Sequence, residues 1–162
     1  MLLSYYSFVT IIGKIHIGVT SKGVKFVNIG ELNTGNKLSK FKTDSIFFKS
    51  RYGKLIDDIN EYLSGNCPLK QRYPLDLDGY TPFQLKIWKI LTAIPYGETR
   101  SYLWVAEKAG NPMAARAVGQ ANRSNPLPLF IPCHRVIRRD GKLGGFSCGI
   151  KYKKLLIELE RH

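Results

Sequence analysis

The sequence predicts a mixed α/β (α+β) chain in two parts: a small sheet-plus-helix domain over residues 1–77 and a mostly helical domain over residues 78–162. Three observations predict it. Residues 2–29 fall into short apolar runs broken by turn residues, the pattern of strands. Residues 80–162 hold successive helical patterns with start and stop signals. Between them, Ser64 to Gly79 contains Pro68, Pro74 and two glycines among alternating charges, and reads as a linker. A chain of 162 residues is long enough for one compact domain or two small ones.

Taken in order, Thr20-Ser21-Lys22-Gly23 is a turn that joins Ile11–Val19 to Val24–Ile29 as a hairpin. The polar stretch 33–42 reads as loop. Arg51 to Leu63 places Leu55, Ile56, Ile59, Tyr62 and Leu63 at helical spacing, with Gly65 as a stop. His16 and Asp57-Asp58 read as structural or surface groups, so no catalysis is expected in this half.

The second half opens on a full helix start signal. Thr81 is the expected N-cap, Pro82 the first helical residue and Gln84 the reciprocal capping-box residue. Tyr80 and Leu85 are the expected hydrophobic staple. The helix runs through Ile87, Trp88, Ile90 and Leu91 and ends at Pro95-Tyr96-Gly97. Ser101 caps a second helix, Tyr102 to Ala109, stopped by Gly110. Asn111 caps a third, Pro112 to Arg123. Helix, tight turn, helix is the helix-turn-helix order. The third helix is rich in Ala and Gly, which lets its backbone approach a partner, and Arg116, Gln120 and Arg123 share one face. Asn125-Pro126-Leu127-Pro128 then delivers the chain to Pro132-Cys133. A glycine-punctuated loop follows, with Gly144, Gly145, Phe146, Ser147 and Cys148. A last helix, Lys153 to Glu160, is expected to turn Leu155, Leu156 and Leu159 inward.

Composition narrows the partner. The net charge is +13. Residues 1–79 carry 11 basic and 7 acidic side chains, net +4, and residues 80–162 carry 14 and 5, net +9. A basic half built on a helix-turn-helix order points to nucleic acid. No apolar run reaches membrane-spanning length. Cys67, Cys133 and Cys148 are an odd set with neither disulfide-framework nor zinc-site spacing, so a reducing cytoplasmic setting and no metal are expected.

Ile131-Pro132-Cys133-His134-Arg135-Val136 carries the chemistry. The thiolate is the nucleophilic form of cysteine, and a base or nearby cations favour it. Arg135, Arg138 and Arg139 supply such charge in sequence. Neighbours on a straight strand point to opposite faces, so Cys133 and His134 cooperate only across a bend or through a water. The bland alternative is a buried cysteine beside a solvent-facing histidine.

These pieces together resemble the O6-alkylguanine-DNA alkyltransferases, the direct-reversal DNA repair proteins. The matching residues are Phe83-Gln84 with Trp88, Ile94 to Thr99 with Ser101-Tyr102, Ala115 to Gly119, Asn125-Pro126, Ile131 to Val136, Gly144 to Ser147, and Leu155-Leu156 with Glu160. They come in the family's order over residues 80–162. Residues 1–79 match only in size and coarse pattern. The resemblance implies a ribonuclease H-like N-terminal domain and a winged helix-turn-helix-like C-terminal one. It implies irreversible, stoichiometric transfer of an alkyl group from O6-alkylguanine, and from O4-alkylthymine, in double-stranded DNA to Cys133, after the nucleotide is flipped out. His134 would be the general base through a water, Glu160 would orient His134, Tyr102 would donate to the guanine ring, and Asn125 would pin the turn. Arg116 would be the intercalating finger in the minor groove, with Ala115, Ala117, Gln120, Arg123, Arg135 and Tyr102 on the DNA. Val136, Gly144, Gly145, Phe146, Ser147 and Cys148 would form the substrate pocket. No cofactor is implied, and a monomer is expected, cytoplasmic or nuclear if the source is eukaryotic.

Two positions depart from the family pattern. Phe146 stands where many relatives have Tyr, and Cys148 where Gly is frequent, which predicts a narrower pocket for bulky alkyl groups. The main rival is a non-catalytic lesion-binding protein of the same fold. A small-molecule Cys-His hydrolase and a transcription regulator are the others.

Overall fold

The computed structural model describes residues 4–31, 45–65, 67–69 and 71–161. The polar stretch 33–42 lies outside the described residues. The chain divides into two compact units, Met1–Leu77 and Asp78–His162.

The first unit is a three-stranded antiparallel sheet in the order β1 (Ser4–Thr10), β2 (Gly13–Thr20), β3 (Gly23–Ile29), with helix α1 (Ser45–Leu63) packed on β1. The predicted hairpin forms, with Ser21-Lys22 as its two-residue turn, and a second turn at Ile11-Ile12 splits the preceding run into two strands. Apolar turn residues give no compositional signal, although Ile11 is left exposed. β2 is the central strand, and every residue from Ile15 to Thr20 is buried. Phe26 lies across Gly18, where a Cβ would meet its ring at 2.0 Å, so only glycine fits. α1 is a turn and a half longer than its apolar spacing predicts, and it buries Phe48, Tyr52, Leu55, Ile59, Tyr62 and Leu63.

The expected linker is in part a piece of the sheet. Val24 N donates to Pro74 O at 2.9 Å, and Asp76 N donates to Val24 O at 2.8 Å. Prolines and charges read as a spacer, yet these backbone bonds fasten 74–76 to β3.

The second unit holds α2 (Pro82–Thr92), β4 (Arg100–Ser101), α3 (Tyr102–Lys108), α4 (Ala115–Arg123), β5 (Val136–Ile137) and α5 (Ile150–Glu160). β4 and β5 pair in parallel. The capping box at α2 is complete: Gln84 N donates to Thr81 Oγ1, and Thr81 N donates to Gln84 Oε1. The expected staple is replaced. Tyr80 packs edge-on against Trp88, ring centroids 4.8 Å apart, while Leu85 is exposed. Ser101 caps α3 by accepting from Trp104 N at 3.0 Å. Asn111 caps its helix through Met113 N, but the first turn, Pro112–Ala114, is 3-10 and α4 proper starts at Ala115. α2 holds α4 through Trp88 Nε1, which donates to Ala121 O at 2.9 Å.

α5 faces inward only in part as predicted: Leu156 is buried and Leu159 half-buried, but Leu155 is not. Tyr152, Lys153, Leu156, Ile157 and Glu160 are buried, whereas Leu155 is exposed. The inward stripe also contains a lysine and a glutamate, so an apolar reading of the helix finds Leu156 but misses Lys153 and Glu160.

Candidate active site

The segment after α4 builds the site. Asn125 is buried, and its single amide fastens the loop at three points. Nδ2 donates to Ile131 O at 2.8 Å and to Cys133 Sγ at 3.0 Å, while Oδ1 accepts from Leu127 N at 3.0 Å. Inside that loop Leu129 is held at φ 79°, in the left-handed region. Such a conformation costs a non-glycine residue about 1–2 kcal/mol, so surrounding contacts must enforce it. Cys133–Arg135 then forms a 3-10 turn. This bend frees Cys133 and His134 from the opposite faces that a straight strand would impose.

His134 turns into the core, with no exposed surface. That removes the bland alternative of a solvent-facing histidine. Its Nε2 lies 2.8 Å from Glu160 Oε1 on α5. A carboxylate only accepts, so Nε2 carries the proton and Nδ1 keeps the basic lone pair. Glu160 also receives Arg135, through Nε at 2.8 Å and Nη2 at 2.9 Å, and the backbone N–H of Gly97 at 3.2 Å. A Cβ on Gly97 would meet Glu160 O at 2.8 Å, so this approach needs glycine. Arg135 gives its Nη1 to Ile94 O at 2.7 Å. Its expected place on DNA is therefore corrected: Arg135 is buried and holds Glu160.

Cys133 is 2% exposed and forms part of the wall of a cavity of about 390 Å³. Tyr102, Gly119, Asn122, Arg123, Gly145, Phe146 and Ser147 line the rest. Of the expected pocket residues, Gly145, Phe146 and Ser147 are on this wall. Gly144 stands behind it, at φ 69°, where a Cβ would meet the Tyr102 hydroxyl at 2.8 Å. Val136 is buried in β5 and contributes its carbonyl to the support of the site. Cys148 is half-buried. On α4, Arg116, Ala117, Gln120 and Arg123 are exposed and Ala115 is half-buried.

Lys153 is the residue that sequence reasoning missed. It lies in a run of lysines that reads as a solvated face, yet it is wholly buried. Nζ donates to Val136 O at 2.6 Å, to Gly145 O at 3.1 Å and toward the Tyr102 hydroxyl at 3.5 Å. Asn122 was missed too. It looks like a polar residue on an exposed helix, but it is buried at the cavity.

Burial dominates the electrostatics. It pushes the Cys133 thiol up to about 11, against the Asn125 hydrogen bond and the Lys153 charge. It lowers Lys153 to about 8, opposed by Cys133. His134 is held below its ordinary value by burial, with Glu160 pulling the other way. Tyr102 is raised, first by burial and then by Cys133. The resting site at neutral pH is therefore a thiol, a neutral imidazole and a protonated phenol. The arginines beside Cys133 in sequence do not activate it as expected: Arg135 is taken by Glu160, and Arg138 pairs with Asp140. The cation that acts on the sulfur is Lys153. Among the described residues, no group of three candidate ligands for a metal ion is present.

A buried thiol on a cavity wall, backed by an imidazole–carboxylate pair and flanked by a short basic helix, defines a cysteine-centred transfer site. The family model for the 6-O-methylguanine DNA methyltransferase DNA binding domain matches residues 82–162, and the chain belongs to that family. The methylated-DNA–protein-cysteine methyltransferase of Methanosarcina barkeri is 38% identical over 161 residues, 98% of each chain. The protein of the same name from Mycobacterium bovis is 50% identical over 106 residues, which span 65% of this chain and 63% of the relative. Among solved structures, Mycobacterium tuberculosis O6-methylguanine methyltransferase superposes with a TM-score of 0.87 at 36% identity, covering 99% of this chain and 93% of that one. The Mycobacterium tuberculosis OGT in complex with DNA gives 0.85 at 37% identity, covering 98% and 92%. The resemblance read from the motifs is borne out, and the mixed α/β fold extends over both units.

Proposed function

We propose that this chain repairs duplex DNA by moving the alkyl group of O6-alkylguanine, and of O4-alkylthymine, irreversibly onto Cys133. One observation carries the reading. Cys133 Sγ sits on a base-sized cavity beside a phenol and next to a buried His134–Glu160 pair. In the reaction the S–C bond forms as the C–O6 bond breaks. The thiol proton passes to His134, the dealkylated guanine takes the Tyr102 proton, and the imidazolium proton returns to the phenolate through solvent, so the net proton transfer is from thiol to base. A thiol pushed up to about 11 is a poor nucleophile in the free protein, so its proton must leave when the lesion enters. His134 Nδ1 takes it through a water, while Glu160 holds the ring and stabilises the imidazolium. Tyr102 gives its proton to the guanine ring, and the Lys153 ammonium at 3.5 Å stabilises the phenol oxygen as it does so. Asn125 keeps Sγ in line.

The target atom lies inside the duplex, so the nucleotide must be extruded. α3 and α4 act as a winged helix-turn-helix, with α4 in the minor groove and the exposed Arg116 filling the vacated stack. Ala115, Ala117, Gln120 and Arg123 meet the groove and backbone. Affinity comes from phosphate contacts and falls with salt. The N-terminal unit is a ribonuclease H-like support. The protein acts as a monomer in a reducing compartment. The thioether on Cys133 is stable, so each molecule turns over once.

The test is intact and peptide mass spectrometry after mixing with an oligonucleotide containing O6-methylguanine. A single methylene mass on the Cys133 peptide, absent in Cys133→Ala, is expected. Tight lesion binding without an adduct would instead place the chain with non-catalytic lesion binders.

A further inference from the structure

Asn122 has no function in the chemistry above, yet its position needs an explanation. It lies on α4, is 6% exposed and lines the Cys133 cavity. Both its Nδ2 and its Oδ1 are buried without a hydrogen-bond partner among the described residues. A buried amide normally has partners, because leaving it unmade costs the full desolvation of the group. The neighbouring Asn125 shows the ordinary case, with both ends of its amide bonded. A leucine at 122 would fill the same space with no such cost. The amide therefore points to a ligand that arrives in the cavity.

The chemistry of an amide restricts what that ligand offers. Nδ2 needs an acceptor and Oδ1 needs a donor. A phosphate has acceptors only and would leave Oδ1 unsatisfied. A nucleobase edge offers both. On a guanine alkylated at O6, N1 has lost its proton, so the exocyclic 2-amine is the one donor left on the base, flanked by the ring acceptors N1 and N3. An O4-alkylated thymine has no donor at all. Among the lining residues, the carbonyl of Gly145 already accepts from Lys153, whereas Asn122 Oδ1 has its full capacity. The resting amide also has no bond to lose, so an ordinary change of rotamer brings it to an incoming base.

We propose that Asn122 is a specificity-determining residue: its Oδ1 accepts from the 2-amine of the extruded alkylguanine, and its Nδ2 donates to the adjacent ring nitrogen. The proposal rests on the alkyl-transfer reading. It makes the protein favour alkylguanine over alkylthymine through a side chain, in addition to any backbone contact.

The experiment measures single-turnover transfer to Cys133 by intact mass on three oligonucleotides. They contain O6-methylguanine, O6-methylhypoxanthine (the same base without the 2-amine) and O4-methylthymine. The wild type is expected to favour methylguanine over methylhypoxanthine by about tenfold, the consequence of leaving one buried acceptor unpaired. Asn122→Leu is expected to bring the two within about twofold and to shrink the gap over methylthymine by a similar factor. Its Tm should equal or exceed that of the wild type, since an unsatisfied amide is replaced by an apolar group of similar size. Should Asn122→Leu not fold, Asn122→Ala carries the same comparison. An amine preference that survives in the variant overturns the proposal, as does a wild type with no such preference. A fall in Tm with unchanged preference assigns Asn122 a purely structural role. A wild type that transfers from none of the three overturns the repair reading itself, and this proposal with it.

Discussion

In the N-terminal unit the buried polar groups sit in separate small sets. His16 lies between the hydroxyl of Ser7 on the paired strand, at 2.6 Å, and Gly30 O, at 3.2 Å. Asp76 takes Thr20 and Lys25, and Asp58 takes Arg72. In the C-terminal unit the same kinds of group converge. Asn122 lines the Cys133 cavity, Asn125 hydrogen-bonds Cys133 Sγ, Lys153 braces Val136 and the wall residue Gly145, and Glu160 gathers His134 and Arg135, the two residues that follow Cys133. The two histidines make the difference concrete. Burial lowers both below the ordinary imidazole range. His16 hydrogen-bonds only neutral partners, which fix strand register. His134 hydrogen-bonds a carboxylate, which is ready to stabilise an imidazolium. Separate sets hold a fold together, whereas a converging set prepares a reaction and concentrates desolvation cost in one place.

Glu160→Gln tests this contrast with the largest expected effect. It leaves buried Arg135 without its counter-charge and His134 without its orienting carboxylate. Stability should fall by about 3–5 kcal/mol and transfer to Cys133 by roughly a hundredfold. Asp76→Asn is the counterpart in the other unit, where the partner Lys25 is partly solvated. It should cost about 1–3 kcal/mol and leave transfer unchanged. Denaturant titration and single-turnover assays read both. Equal effects of the two variants on transfer would erase the distinction.

The next test reads the sulfur. Because burial pushes Cys133 up to about 11, little thiolate exists at neutral pH. Iodoacetamide labelling of Cys133 in the free protein should be slow at about pH 7 and rise roughly tenfold per pH unit toward about pH 10. Peptide mass spectrometry separates it from Cys67 and Cys148. Fast labelling at neutral pH would show that the site is activated before the lesion binds.

Much of this contrast was legible before the structure, and the exceptions share a cause. Thr81, Pro82 and Gln84 announce α2 because capping is local chemistry. Cys133-His134 stands out because a thiol beside an imidazole is chemically distinctive, whereas the roles of Asn125, His134 and Glu160 come from the resemblance of the motifs that hold them. The misses involve polar residues whose fate is set by tertiary contacts. Lys153 and Glu160 share the inward stripe of α5 with Leu156, so reading inward as apolar finds Leu156, adds Leu155 wrongly and passes over both charged residues. Arg135 reads as a free cation, but its carboxylate partner is 25 residues away in sequence. Asn122 sits one turn beyond Val118 and Gly119, on the inward side of α4, where a polar residue type gives no sign of its burial. The extra turn at Ile11-Ile12 is apolar, so strand spacing runs through it unmarked.

Lys153 separates stability from chemistry within the C-terminal unit. Its folded value, about 8, lies below the ordinary 10.5. Between these values the unfolded chain holds a proton that the folded protein has lost, so stability from this group rises with pH across that window. It is fully present above 10.5 and is lost as pH falls through about 8. Lys153→Met should therefore gain on the wild type as pH falls, by on the order of 3 kcal/mol across the window. It should also slow transfer at neutral pH, where the ammonium beside Tyr102 is protonated, and the difference should shrink as pH rises through about 8. The thiol of Cys133 acts oppositely in nearly the same range, since its raised value makes stability fall as pH rises from 9.0 to about 11. Measuring both proteins in denaturant at several pH values isolates the lysine, because the cysteine is common to both. Parallel stability curves would mean that Lys153 titrates normally.

Thr81→Ala gives the smallest effect and the cleanest boundary. Thr81 is exposed at the start of α2, outside the cavity, and its role is the reciprocal bond with Gln84. Its loss frees one backbone N–H and should cost about 1 kcal/mol. α2 supports α4 through Trp88 and through Gln84, whose Nε2 donates to Ser124 Oγ at 2.8 Å. If that support only holds the helix in place, Tm falls by a few degrees and single-turnover transfer keeps its rate, as expected for Asp76→Asn. A loss of transfer larger than the loss of stability would mean that the converging set reaches α2, and that its edge lies well beyond the residues on the cavity wall.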